Sequence, residues 1–480
     1  MPEKHTICLL NDSFPPMIDG VANAVVNYAA NIEARFGHAV VVTPDVDGAD
    51  DSAFPYPVLR YPSIDTRKLV GYVAGVPFAP EIAYRIRKEN VELLHLHCPI
   101  MSAFLAWQLR ESMDLPLILT WHTKFDIDIR KAIRGKVLQD SAIKALIENV
   151  NACDEVWTVS SGAADNLRSL GYEGDVIVME NGVDLPKGAV SPELTAQLSA
   201  QYGLPEGVPV FLFVGRMMWY KGLRIIIDAL AALKERGTRF CMVFVGSGGD
   251  EKEVKEYVEQ TGLTAECTFT GPVRDRELLR AWYSRADLFL FPSTFDTNGL
   301  VVREAAACGT ASILIKDSCA AEGVTDGRNG FLIEENAESM AQKLEELCQA
   351  PERMRSAGEN AENELYLSWE DAVERAVQRY EIVLEKHRNG EYKRKHRPKD
   401  AFMRSQGELM DILGEFHGIQ DDMRSEFQEL QQDMRDSFKD VRSDFEDQWT
   451  RVHERLYAEE ELFMERLHSL RDDIKGMLNL

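Results

Sequence analysis

The chain lacks any apolar run near the roughly 18 residues needed to cross a bilayer, so it offers no candidate for a spanning helix. It also lacks positive charge: the net charge of −25 argues against general affinity for nucleic acid, which needs a basic surface. A local basic patch is still allowed. No CxxC pair occurs among its eight cysteines (Cys8, Cys98, Cys153, Cys241, Cys267, Cys308, Cys319, Cys348). They read as free thiols in a reducing cytosol. The start, MPEKHTICLLNDS, has too short an apolar stretch for a signal peptide and reads as a first strand. What is present is ordinary, with 45% hydrophobic and 28% charged residues. A chain of 480 residues is too long for one core, so two globular domains and an appendage are expected.

Apolar runs alternate with amphipathic stretches from the start. HTICLLND leads through SFPPMIDG into VANAVVNYAANIEARFG; HAVVVTP, VELLHLHCP, PLILTWHT, DEVWTVS and DVIVMENGVD follow. Such alternation predicts parallel strands with crossover helices, a doubly wound α/β sheet. After a Pro/Gly/Ser-rich stretch the pattern restarts with VPVFLFVGR, RFCMVFVGSG, ECTFTGPV, ADLFLFPS and ASILIKD. The expected plan is an N-terminal domain over 1–185, a hinge at 186–207, a second domain over 208–370 and a helix at 371–386. Ligands then lie between the domains, outside the carboxyl ends of the strands. A basic linker is expected at 387–400; from Lys386 to Lys399 there are seven Lys/Arg against one acid, Glu391.

The segment 401–480 differs in kind. Ile419, Leu430, Val441, Val452, Phe463 and Ile474 recur every eleven residues, as do Met423, Met434, Phe445, Leu456, Leu467 and Leu478. Phe416, Phe427, Phe438 and Trp449 keep the same step until Glu460 breaks it. An eleven-residue period is about 3.67 residues per turn, which predicts a long-helix coiled coil with little or slightly right-handed supercoil. Self-association into a homo-oligomer is the expectation; a helix folded onto its own body is the alternative.

Four pieces of the second half fall in order. VGRMMWYKG places Arg216 after a strand and Lys221 at a helix start; GPVRD and FPS each end a strand; FDTNGLVVREAAACG follows. A strand, a loop and a helix N-terminus aimed at a cleft suit phosphate binding. Together with PPMIDGV, WHT and ENGVD, these motifs resemble the family-4 retaining glycosyltransferases of GT-B fold, from about residue 7 to about residue 386. The most specific match is the family's E-x7-E, here Asp296-x7-Glu304 followed by EAAACG.

The resemblance implies that Glu304 bonds the ribose hydroxyls of a nucleotide-sugar donor, while Asp296 bonds the sugar. It gives Arg216 and Lys221 the diphosphate, the main chain near Val273 the base, and His122 of WHT a place beside the sugar. Gly20 would let its loop approach the phosphates. Asn298, Gly299 and Leu300 open the helix whose amides face the diphosphate. The Asp is one methylene shorter than the family's Glu, so the sugar sits closer or another hydroxyl is gripped. FDID mimics a DxD metal motif, but the resemblance implies no metal and no cofactor.

The same resemblance, with WHTKFD similar to bacterial diacylglycerol glucosyltransferases, implies transfer of a hexose, foremost glucose from UDP, to a lipid or lipid-linked acceptor. FDIDIRKAIRGKVL interleaves Arg130, Lys131, Arg134 and Lys136 with Ile127, Ile129, Ile133 and Val137. With the basic run at 386–399 it would rest on anionic lipid, so a cytoplasmic protein peripheral on the inner membrane face is expected. A plain solvated helix is the alternative. A polysaccharide or small-molecule acceptor, or a non-catalytic sugar-nucleotide-binding scaffold, are the competing functions.

Overall fold

The computed structural model describes residues 4–17, 19–67, 72–133, 135–392 and 398–436. The first half builds a parallel sheet around β1 (His5–Leu10), flanked by β2 (Gly37–Pro44) and β6 (Leu93–Leu96). Between them in the chain lie β3 (Val58–Tyr61) and a small antiparallel pair, β4 (Ser63–Ile64) and β5 (Ala74–Gly75). With β7 (Leu117–Trp121), β8 (Glu155–Thr158) and β9 (Ile177–Val178) the order is β3-β2-β1-β6-β7-β8-β9. The second half repeats the design with β10 (Val210–Val214), β11 (Cys241–Val245), β12 (Cys267–Gly271), β13 (Leu288–Phe291), β14 (Ser312–Ile315) and β15 (Phe331–Ile333). Its order is β12-β11-β10-β13-β14-β15, again with parallel pairing.

The strands read as unbroken apolar runs because both faces of each sheet are covered. On β1, Cys8 and Leu10 join one core while Ile7 and Leu9 join the other. That second core also takes Tyr28 and Ala29 from the helix Gly20–Asn31, and Val373, Ala376 and Tyr380 from the helix Trp369–Arg388. The chain therefore crosses back, and its late helix belongs to the first half's core. The two crossing segments touch at Val183 and Ser368, and a Cβ on Gly182 would lie 2.4 Å from the backbone of Trp369. In both sheets the order reverses at the central strand, so the loops after β1 and β10 open into a crevice.

Three stretches differ from expectation. Inside 186–207 lies a helix, Pro192–Tyr202, begun by the Ser191 cap and ended by Gly203 in the left-handed region. Its Leu198 is buried in the second half's core, so the flexible crossing is shorter than composition suggests. FDIDIRKAIRGKVL is two elements, Phe125–Ala132 and Lys136–Val150, because Ile133 is extended and Gly135 has φ +95°. Arg134 lies outside the described residues, as does 393–397 of the basic linker.

The third difference concerns the tail. The helix Pro398–Asp436 starts inside the expected linker and packs against the helices Pro80–Lys88 and Met101–Met113. Met403, Met410 and Ile412 are buried, Met410 Sδ accepts from the Ala79 amide, and Asp411 pairs with Arg87 at 2.5 Å. Gly407 and Gly414 permit the contact, since a Cβ would meet Gln108 O at 2.5 Å and Pro80 O at 2.2 Å. The start of the segment read as coiled coil is thus part of the first domain's core; its eleven-residue rows beyond Asp436 lie outside the described residues.

Candidate active site

Lys221 is set by a close approach of two motifs. It ends the turn Trp219–Lys221, and Gly222 follows at φ +79°, where a Cβ would stand 2.0 Å from Pro292 O. Only glycine lets KG press against FPS this way. The Lys221 ammonium is buried with its stem among aromatic rings, 5.6 Å from the Phe291 centroid and 5.7 Å from that of Tyr220. It bonds Asp296 Oδ1 at 2.5 Å, and Ser293 Oγ donates to Asp296 Oδ2 at 2.6 Å. The cation expected at the diphosphate and the acid expected at the sugar are therefore each other's partners.

Asp296 lies on a loop fastened to the first half. Thr297 Oγ1 donates to His122 O at 2.7 Å, Ser160 Oγ donates to Thr297 O at 2.5 Å, and Lys124 Nζ donates to Thr294 O at 3.2 Å. Gly299, at φ +57°, turns this loop into the helix Leu300–Ala307, where a Cβ would come within 3.0 Å of Ala320. The first helical bond is Val302 N–H to Gly299 O, so the amides of Leu300 and Val301 precede the ladder. Asn298 Nδ2 beside them is buried without a partner.

Glu304, one turn further, accepts from Tyr283 Oη at 2.9 Å, and Arg276 Nη1 stands 3.8 Å away. Burial pushes its carboxyl up to about 7, aided by the Asp184 charge and opposed by Tyr283 and Arg276. Arg216 is exposed after β10, with no ion pair among the described residues. Val273 is half-buried in the loop after β12. Gly20 opens its helix with free space where a Cβ would stand, beside Asp19, which caps that helix through the amides of Val21 and Ala22.

His122, after β7, is buried, and its Nε2 lies 2.9 Å from His97 Nδ1. His97 in turn lies 4.1 Å, centroid to centroid, from His95, which bonds Tyr380 Oη and Thr120 Oγ1. Burial holds His122 down to about 3, so it is neutral. His97 Nε2 is buried without a partner. With its proton on Nδ1, the tautomer that leaves Nε2 as a bare acceptor and not an orphaned N–H, His97 donates to His122 Nε2. His122 then bears its own proton on Nδ1, a neutral donor.

His97, Tyr283, Arg276, Ser293 and Thr297 were not among the residues the motifs singled out. Local signals existed for three of them: Ser293 lies in FPS, Thr297 in FDTNG, and His97 makes an i, i+2 pair of histidines at the end of an apolar strand, HLHCP. Beside the site, the helix Phe125–Ala132 and the Trp219–Ile225 segment border an open cavity of about 350 Å³, lined by the apolar Ile127, Tyr220 and Phe295 and by the charged Lys124, Arg224 and Glu335. Of FDID, Asp126 faces Asn166 and Arg130.

The family model for Glycosyltransferase Family 4 matches residues 18–187, and that for Glycosyl transferases group 1 matches residues 195–364. The alpha-monoglucosyldiacylglycerol synthase of Acholeplasma laidlawii is 24% identical over 368 residues, covering 74% of this chain and 91% of that one. The D-inositol 3-phosphate glycosyltransferase of Xylanimonas cellulosilytica is 30% identical over 289 residues, covering 58% and 68%. The Anabaena protein HepE, solved in complex with UDP, superposes with a TM-score of 0.64 at 19% identity, over 78% of this chain and all of that one. With both halves matched in order on two parallel sheets, the chain belongs to the family-4 glycosyltransferases of GT-B fold.

Proposed function

We propose that this glycosyltransferase moves a hexose, foremost glucose from UDP-glucose, with retention of configuration, to a lipid or lipid-linked acceptor at a membrane surface. The observation that carries the donor side is the single segment 293–304, which joins the Lys221–Asp296 pair, a helix N-terminus and Glu304. Glu304 takes the ribose hydroxyls, and the main chain at Val273 meets the base. Arg216, Lys221 and the amides of Leu300 and Val301 face the diphosphate, with Asn298 Nδ2 as a further donor and Gly20 leaving room opposite. Asp296 and the Nδ1–H of His122 hold the sugar.

Catalysis in this reading is electrostatic. The diphosphate draws Lys221 from Asp296, which frees that carboxylate for a sugar hydroxyl. As the bond from the anomeric carbon to phosphate oxygen breaks, Arg216, Lys221 and the helix amides stabilise the departing anion. The acceptor hydroxyl attacks from the same face and gives its proton to the departing phosphate oxygen. Protein cations and amides supply the positive charge, so no metal or cofactor is called on.

The acceptor side rests on the relative named for glucosyldiacylglycerol, with a mixed polar and apolar cavity beside the site to receive an acceptor. In the first turn of the helix Lys136–Val150, Val137 and Leu138 are 79% and 63% exposed, directly after the exposed Lys136. Exposed apolar residues beside a lysine suit an anionic lipid surface. The relative named for inositol phosphate favours a second reading, a water-soluble acceptor.

The test is to incubate the protein with UDP-, GDP- and ADP-hexoses, in EDTA, with diacylglycerol vesicles or with soluble polyols. An α-linked glycolipid from UDP-glucose in EDTA is the expected product. Transfer to soluble acceptors alone establishes the second reading, and a strict need for Mg²⁺ or Mn²⁺ overturns the metal-free mechanism.

A further inference from the structure

Asp184, the last residue of ENGVD, is held from both halves of the molecule. Asn23 and Asn27, one turn apart on the helix Gly20–Asn31, donate to its Oδ2 and Oδ1, each at 2.9 Å. From the second half, Arg276 Nη2 donates to Oδ2 at 2.7 Å. The same guanidinium points Nη1 at Glu304 Oε1, 3.8 Å away. One cation is thus divided between two carboxylates, and its tight contact is with the one that belongs to the domain crossing.

We propose that Arg276 is a positioning residue, shared between Asp184 and Glu304, through which the contact between the two halves sets how strongly Glu304 grips the donor's ribose. The inference rests on the reading of Glu304 as the ribose acceptor. Arg276 lies at the first turn of the helix Arg276–Arg285, whose Tyr283 supplies the other bond to Glu304, so that helix holds both of the carboxylate's supports. The groups facing Glu304 are Arg276, Tyr283 and Asp184, with Cys308 one turn along its own helix. Among them Arg276 is the one cation, and Asp184 competes for it.

Ribose hydroxyls donate to an ionised carboxylate, so nucleotide affinity rises with pH through the value of unbound Glu304 and falls below it. A stronger Arg276–Glu304 contact lowers that midpoint; a weaker one raises it. Asp184→Asn releases Arg276 toward Glu304 and lowers the midpoint. Arg276→Gln raises it, and Arg276→Lys restores it in part. Asn23→Ala with Asn27→Ala strips Asp184 of its two neutral donors, draws Arg276 harder onto it, and also raises the midpoint. That pair acts from the other half of the molecule.

The experiment titrates the full chain with UDP, GDP and ADP by calorimetry from pH 5.5 to 8.5, carrying forward whichever binds tightest. The pH dependence that survives in Glu304→Gln belongs to the nucleotide phosphates and is subtracted. Opposite shifts for Asp184→Asn and Arg276→Gln, each about half a pH unit or roughly threefold in Kd on the acid limb, are expected. Shifts of the same sign, or none, while Glu304→Gln still weakens binding, overturn the coupling alone. Binding in Glu304→Gln identical to wild type at every pH, or binding of none of the three nucleotides, overturns the ribose reading and the coupling with it.

Discussion

At the scale of single residues, Lys221→Met tests the proposed diphosphate role. The lysine's ammonium lies 5.6–6.0 Å from the ring centroids of Phe291, Tyr220 and Phe295, and Lys221→Met removes the charge while keeping a side chain of similar length. Losing one stabiliser of a developing anion should lower kcat by roughly 10²–10³, beside a loss of stability from leaving Asp296 unpaired. A variant turning over at the normal rate removes Lys221 from the diphosphate. His97 tests the tautomer argument: ¹⁵N spectra of histidine-labelled protein should show His122 protonated at Nδ1, and His97→Leu should abolish that preference. An Nε2–H signal for His122 in the unaltered chain sinks the argument. Lys221, Asp296 and Glu304 were nameable as candidates because each lies in a short motif on one stretch of chain. Arg276, Tyr283 and His97 were not, because they reach the site from other elements and their roles arise from distances that no spacing in the sequence encodes.

Elements show the same division through their glycines. Gly182 lets two crossing segments touch, and Gly20 stands in open space at the mouth of the cleft. Gly182→Ala drives a methyl into the Trp369 backbone and should lower stability by about 1–3 kcal/mol in denaturant melts. Gly20→Ala should leave stability within about 0.5 kcal/mol while weakening nucleotide binding, because its cost falls on the ligand. Equal stability losses for the two would show that Gly20 serves the fold. Strands were readable because doubly covered sheets demand unbroken apolar runs, as in PVFLFV and FCMVFV. The helix Pro192–Tyr202 was hidden by its own start signal, since Ser191-Pro192 reads as loop composition until the cap is seen to hold Leu194 N–H. The break at Ile133–Gly135 was missed because the apolar spacing continues across it.

On the scale of the whole molecule, the helix Pro398–Asp436 changes where the chain can be divided. The eleven-residue repeat marked a helix, but the docked face uses Met403, Gly407, Met410 and Gly414, a mixed set of large and small residues that no apolar period reveals. Cutting after residue 400 therefore removes buried Met403, Met410 and Ile412 and leaves Arg87 without Asp411. At about 1.5–3 kcal/mol for each large apolar side chain, the loss is on the order of 5 kcal/mol. A fall in Tm of roughly 10 °C follows. A cut after residue 420 keeps these contacts and removes every row residue from Met423 to Leu478, which we propose to be the self-associating part. The segment 401–480 carries 20 acids and 10 Lys/Arg, so its net charge of −10 disfavours docking on anionic lipid. Its role in this reading is to hold several catalytic bodies together, so that weak membrane contacts from each add. Light scattering and calorimetry on the full chain, 1–420 and 1–400 distinguish the two roles of the tail. The expected pattern is an oligomer, a stable active monomer and a destabilised monomer, in that order. A monomeric full chain ends the self-association proposal, and a 1–400 chain as stable as 1–420 shows that the docked turns add nothing to the first domain's core.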